Sequence, residues 1–245
     1  TMKALNEAMR GLGYVVAKHL DLARYHPDPE TRERHQNRVD LLIPIVKGWL
    51  SETGIDVASL GVQIHGGMGF IEETGTCQHL RDSRITTIYE GTTGIQAADL
   101  AGRKLNMDKG ASMRALITEI GETVAELKPA PGEPIAIIRA GLQEAVAKLA
   151  EATDWMLETH SAEDVMAVSV DYLMLAGFVC GGWQLARAAH IASQKRKDDP
   201  EHVFYEAKTI TACFYAEHIL PKATGLCASI KHGGASIMAL TEEQF

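Results

Sequence analysis

Apolar residues recur at three- and four-residue spacing along nearly the whole chain, and no stretch alternates as a half-buried strand would. "KALNEAMRGLGYVVAKHLDLARY" predicts a helix that stops at "HPDPE". There Asp28 is placed to cap, and Pro29 suits the first position of the next helix. "ETRERHQNRVDLLIPIVKGWLSETG" is polar at first and apolar later; Pro44 predicts a kink or a break, and Gly54 a helix end. "IDVASLGVQIHGG" reads as a further helix running into glycines. The following "MGFIEETGTCQHLRDSRITTIYEGTTG" is irregular, with one short helix near Cys77 to Ser83.

"TGIQAADLAGRKL" is helical again, and "NMDKGAS" reads as a linker. "ASMRALITEIGETVAELK" follows and ends at the turn "PAPGEP"; "IAIIRAGLQEAVAKLAEATDWMLETH" comes next. "AEDVMAVSVDYLMLAGFVCGGWQLARAAHIASQKRK" predicts a single long helix. "DPEHVFYEAKTITACFYAEHILPKATGLCASI" closes the set, with a bend expected at Pro221. The fold class is all-α: two helical bundles, residues 1–107 and 108–245, divided near residues 106 to 112.

Composition narrows the partners. A net charge of −8 lacks the concentrated basic surface that phosphate backbones need, which argues against nucleic acid. The four cysteines, Cys77, Cys180, Cys213 and Cys227, form no CxxC pair and read as free thiols in a reducing compartment such as the cytoplasm. The longest apolar run, "YLMLAGFVCGGWQLA", contains three glycines and is too short to predict a membrane span. Thr1 already lies inside a helical pattern, so further chain is expected upstream.

Two stretches carry candidate chemistry. In "QIHGGMGF", residues 63–70, closely spaced glycines allow a ligand to approach backbone; a plain helix stop reads equally well. The Lys and Ser/Thr of a phosphate-binding Walker loop are missing. In "RDSRITTIYEGTTGIQ", Glu90 reads either as a solvated loop carboxylate at a helix start or as a general base on backbone that Gly91 lets bend, made more basic by a dry pocket. Thr92 or Thr93 is placed to cap the next helix. No Glu has a His three positions on, as a di-iron bundle requires, and the second half shows no catalytic constellation. A second His-Gly-Gly, His232 to Gly234, reads as a helix stop.

Taken together, "QIHGGMGFIEETGTCQHLRDSRITTIYEGTTGIQAADLAGRKL" resembles the C-terminal catalytic region of the acyl-CoA dehydrogenase family: Q-x-x-G-G-x-G-[FY], then R-D, then [IV]-Y-E-G-T, then a helix near I-Q. The preceding two helices fit the family's C-terminal helical domain. Residues 108–245 resemble the extra helical domain of longer bacterial members.

The resemblance implies FAD as cofactor and an acyl-CoA thioester as substrate. It makes Glu90 the base that removes the α-proton while a hydride leaves the β-carbon. Tyr89 would line the acyl pocket, with Gly91 the turn residue beside it. Gln63, Gly66 and Gly67 match positions that meet the adenosine end of a neighbouring subunit's FAD, and Thr92 one that contacts the FAD phosphates, with Gln96 beside it. Where the family often has Gln two residues after that Thr, this chain has Gly94. Electron-transfer flavoprotein is the implied electron acceptor, and a homo-oligomer, a dimer by preference, the implied assembly. Complete members add an N-terminal helical domain and a middle β-domain. The resemblance therefore implies a fragment, inactive in isolation; the other reading is a non-catalytic helical interaction or oligomerisation module.

Overall fold

The computed structural model describes residues 1–128, 132–158, 160–237 and 239–244, and these residues contain helices and turns but no strand. Helices α1 (Met2–Tyr25) and α2 (Pro29–Ile64) form a hairpin. Local sequence sets its corner: the Asp28 carboxylate accepts from Thr31 N at 2.9 Å and from Thr31 Oγ1 at 2.6 Å, and Pro29 opens α2.

The breaks expected at Pro44 and Gly54 do not occur; α2 is one helix of 36 residues. An interior proline costs about 3 kcal/mol. Beside it Leu41, Leu42, Ile45 and Trp49 are almost fully buried. Each such side chain gains roughly 1.5–3 kcal/mol on burial, so packing against α1 and the later helix α10 (Ser169–Lys195) outweighs the lost hydrogen bond.

A short turn of helix, α3 (Gly67–Phe70), leads to α4 (Thr76–Ile85), which covers the short helix expected there. Next, α5 (Thr93–Ala98) runs through a π-helical turn at Asp99–Lys104 into α6 (Leu105–Met107). The linker is shorter than "NMDKGAS" suggests. Only residues 108–110 separate α6 from α7 (Ala111–Glu126), with Lys109 and Gly110 at φ 56° and 80°.

Helix α8 spans Glu133–Leu157. The turn expected before it falls partly on residues 129–131, outside the described residues. The single long helix expected next is two, α9 (Ala162–Ala167) and α10 (Ser169–Lys195), parted at Val168. Ser161 caps α9 by accepting from Asp164 N, and Ser169 Oγ turns back to donate to Met166 O. At Pro221 the expected bend is a full break between α11 (Val203–His218) and α12 (Lys222–Lys231), since proline has no N–H to continue the ladder. The second His-Gly-Gly stops α12: Gly233 has φ 65°, and Gly234 N donates to Asp164 Oδ1 at 2.9 Å.

Helix α10 is the hub, packing against α1, α2, α5, α8, α11 and α12. Three buried polar bonds fix its neighbours: Trp183 Nε1 donates to Thr123 Oγ1 at 2.8 Å, Tyr172 Oη pairs with Thr153 Oγ1 at 2.8 Å, and Tyr215 Oη donates to Phe178 O at 3.0 Å. Burial raises the Tyr172 and Tyr215 hydroxyls well above the usual phenol range and pushes the Cys180 thiol up to about 12, so Cys180 is an inert core residue. Trp49 packs against Gly177 and Gly181 of α10, where added β-carbons would stand 2.1 Å from its Cγ and 2.5 Å from its Cη2. One apolar core runs from Ala4 to Ile230, across residues 108–110. Cys77 and Cys227 are also buried and Cys213 half-buried; all four cysteines are free thiols.

A polar cluster lies near the corner of the α1–α2 hairpin. His19 and His35 share a hydrogen bond, Nδ1 to Nδ1, at 2.7 Å, and Arg38 pairs with Glu119 of α7 at 2.8 Å. Among the described residues, no helix is long and apolar enough to cross a membrane.

Candidate functional site

The loop between α4 and α5 unwinds in steps. Thr87 N donates to Arg84 O, Ile88 N to Ile85 O and Tyr89 N to Ile85 O, at 3.0 to 3.3 Å. The direction then reverses through two successive positive-φ residues, Glu90 at 50° and Gly91 at 91°. Glycine takes this conformation freely; for a glutamate it costs on the order of 1–3 kcal/mol, so other bonds must hold it.

Those bonds are present. Thr93 N donates to Thr87 O at 3.2 Å and closes the loop, and Thr92 Oγ1 accepts from Ile95 N at 3.3 Å to cap α5. Gln96 Nε2 donates to Glu90 O at 3.4 Å, and a β-carbon on Gly91 would stand 2.5 Å from that amide nitrogen. Two anchors come from α2: Lys47 Nζ donates to Thr86 O at 2.8 Å and to Gly91 O at 2.6 Å, and Glu52 accepts from Thr93 Oγ1. Bonds to charged groups contribute about 1.5–3 kcal/mol each, enough to offset the strain at Glu90.

The Glu90 carboxylate is exposed at the rim of an open groove of roughly 400 Å3 lined by Val46, Leu50, Ser51, Gly54 and Tyr89. At Leu50 and Gly54 the groove continues into another of about 500 Å3 between α1 and α2, floored by Met9, Gly13 and Ala17. The dry pocket expected around Glu90 is therefore not made by these residues. Instead the loop is flanked by uncovered apolar side chains, Ile85, Ile88, Tyr89 and Ile95, each more than half exposed. Contiguous exposed apolar surface of this kind is characteristic of interaction sites.

Of the candidate residues, Tyr89, Glu90, Gly91, Thr92 and Gln96 are brought together. Gln63, Gly66 and Gly67 form a separate group at the far end of α2. Sixteen residues separate Lys47 from Gln63, roughly 24 Å along the helix at 1.5 Å per residue. Gly66, at φ 57° and ψ −140°, occupies backbone open to glycine alone, and nothing lies within 4 Å of where its β-carbon, or that of Gly67, would be. Gln63 beside them is exposed. Lys47 and Glu52 were not legible as site residues: they lie 41 to 44 positions from Gly91 and Thr93, and no local pattern marks them.

With this geometry in view, two family models match the chain. "Acyl-CoA dehydrogenase, C-terminal domain" covers residues 1–105, and "Acetyl-CoA dehydrogenase C-terminal like" covers residues 116–241. Among curated proteins, 3-methylmercaptopropionyl-CoA dehydrogenase of Ruegeria pomeroyi is 41% identical over 97% of this chain and 40% of its own length. Broad-specificity linear acyl-CoA dehydrogenase FadE5 of Mycobacterium tuberculosis is 31% identical over all of the chain and 42% of its own length. An acyl-CoA dehydrogenase from Bacillus anthracis, solved in complex with FAD, shares the fold at TM-score 0.70 and 16% identity, covering 94% of this chain and 40% of that one. The chain thus spans about two-fifths of the length of the curated relatives it matches.

Proposed function

The chain belongs to the acyl-CoA dehydrogenase family, and from that premise we propose that it is the base-bearing helical part of a longer enzyme. That enzyme oxidises the α,β-bond of an acyl-CoA thioester to the enoyl-CoA. The observation that carries this reading is the Glu90 turn: a carboxylate on strained backbone, bonded from below by Lys47 and Gln96 and open on its outer side to the groove.

In this reading the α-carbon presents its C–H to Glu90, whose carboxylate takes the proton as the C–H electron pair moves into the new double bond. FAD, when bound, supplies the acceptor for the hydrogen that leaves the β-carbon with its electron pair. Tyr89 walls the acyl chain on one side. Among the described residues the Glu90 N–H donates to no acceptor, which leaves it free to bond a thioester oxygen as negative charge develops there. Covering the exposed apolar side chains around the loop would exclude water and raise the basicity of the carboxylate.

The residues fit the cofactor in two groups. Thr92 and Gln96 would face one FAD beside Glu90. Gln63, Gly66 and Gly67, at the far end of α2, would meet the adenosine end of a second FAD held by a neighbouring copy, as the family resemblance implies. Open space over Gly66 and Gly67 suits close approach of a large ligand to backbone. From the same resemblance the assembly is read as a homo-oligomer, by preference a dimer, with electron-transfer flavoprotein as acceptor and the cytoplasm as its compartment. Residues 1–107 form the family's C-terminal helical domain and residues 108–245 the additional one. The isolated chain turns over no substrate.

The test is Glu90→Gln in the longer protein. Proton transfer by a positioned base contributes about 10²–10⁴-fold, and a loss in kcat of at least the lower figure is expected, with flavin content unchanged. A normal rate would remove Glu90 from the reaction and favour a non-catalytic helical module.

A further inference from the structure

We propose that Lys47 is a positioning residue for the Glu90 carboxylate, holding the catalytic turn at the height from which the α-proton is reached. This inference rests on Glu90 being the base.

The geometry is that of a staple. Thr86 and Gly91 bound the segment that carries Glu90, and one ammonium group donates to both of their carbonyls, at 2.8 and 2.6 Å. Its remaining direction faces Tyr89, whose ring centroid is 5.8 Å from Nζ. Apart from this staple, the bond closest to the carboxylate is the long one from Gln96 to Glu90 O. Without Lys47 the carbonyls at both ends of the turn lose their donor, and the positive φ at Glu90 loses its main support. An ammonium suits the task because its donors rotate about a single point, whereas a guanidinium presents a rigid planar fork.

The base of the staple is itself fixed. The next residue, Gly48, packs so closely on Leu173 that a β-carbon there would stand 2.8 Å from Leu173 Cδ1. Trp49, one residue further, lies on Gly177 and Gly181. Both contacts belong to α10, so residues 108–245 hold the stretch of α2 from which Lys47 reaches the loop. A displacement of about 1 Å at a reacting group is enough to cost roughly 10²-fold in rate, which sets the expected size of the effect.

The experiment uses the longer protein, with kcat, KM for acyl-CoA and bound flavin measured for Lys47→Met and Lys47→Cys, each before and after treatment with 2-bromoethylamine. Treatment adds an aminoethyl group to the new thiol and rebuilds a side chain of lysine length. Lys47→Met carries the same native cysteines, the four of this chain among them, and controls for their modification. Both variants are expected to lose roughly 10² in kcat, with KM and flavin content little changed. Treatment should restore Lys47→Cys and leave Lys47→Met as it was. Full kcat in Lys47→Met, or a loss in Lys47→Cys that aminoethylation does not reverse, would overturn the proposal. Glu90→Gln is assayed alongside. If it is inactive while Lys47→Met is normal, only the positioning role fails; if it is active, the base assignment fails.

Discussion

Trp49 and Gly177 are in contact so close that glycine alone fits: a β-carbon at position 177 would stand 2.1 Å from the indole Cγ. Both residues are almost fully buried, and the contact joins α2 to α10. Gly177→Ala is therefore expected to destabilise the chain by overpacking, on the order of 1–3 kcal/mol. Trp49→Ala, which leaves a cavity instead, is expected to cost about 3–5 kcal/mol. Denaturant midpoints of the two variants check both figures; an unchanged midpoint in Gly177→Ala would mean that α10 can retreat from the indole.

At the catalytic turn, Gly91→Ala meets two obstacles: a φ of 91° and the Gln96 amide in the space its methyl would occupy. Left-handed backbone costs an L-residue about 1–2 kcal/mol, and displacing Gln96 also releases Glu90 O. Faster hydrogen exchange at the Thr93 amide, which closes the loop on Thr87 O, should report the loosening. Unaltered protection there would show that the turn absorbs the methyl group.

Stability should fall with acidity through the His19–His35 pair. Burial first, then the nearby positive charges of His35, Arg38 and Lys18, lower His19 from its ordinary 6.5 to about 4, against a smaller opposing effect of Glu119. Burial, with Arg34, His26, Lys18 and Arg38 adding to it, lowers His35 in the same direction. The unfolded chain binds a proton at His19 as pH drops through 6.5; the folded chain resists until about 4. Stability from this group is thus complete above 6.5 and declines across the window down to 4. His19→Asn should flatten the dependence of the unfolding midpoint on pH in that window, and a slope equal to that of the unaltered chain would contradict it.

Asp164 holds the segment after α12. Its carboxylate accepts from Gly234 N and from Ser161 Oγ, and these bonds keep it below the usual carboxylate range. Asp164→Ala should expose the chain around Gly233 to limited proteolysis. A cleavage rate matching that of the unaltered chain would show the segment is held otherwise.

The features legible in the sequence were those encoded locally. Asp28 and Pro29 announce the start of α2 because cap and helix lie within four residues, and the Gly233 stop follows the same rule. Neither Pro44 nor Gly54 ends the helix, because burial against α1 and α10 decides whether α2 continues, and no nearby residue reveals that burial. Val168 gave no sign of a break: it is an ordinary apolar residue in a helical pattern, and the bond from Ser169 Oγ back to Met166 O that accompanies the division has no sequence signature. At the site, "YEGT" and "QIHGG" could be read because their chemistry is contiguous. The placement of the first motif against the Lys47 stretch of α2 and of the second at that helix's far end, and the staple from Lys47, come only from tertiary structure.

The glycine groove on α10 bears on how such a chain can be recombined. Residues 108–110 look like a natural seam, and a chimera joined there would keep its reading frame and its count of helices. Yet the indole of Trp49 would then meet whatever surface the incoming half presents. A donor helix with alanines in place of Gly177 and Gly181 would push the indole out, and Lys47 with it. Halves are therefore interchangeable only as a matched lock and key, and the seam that an engineer must respect passes through Trp49.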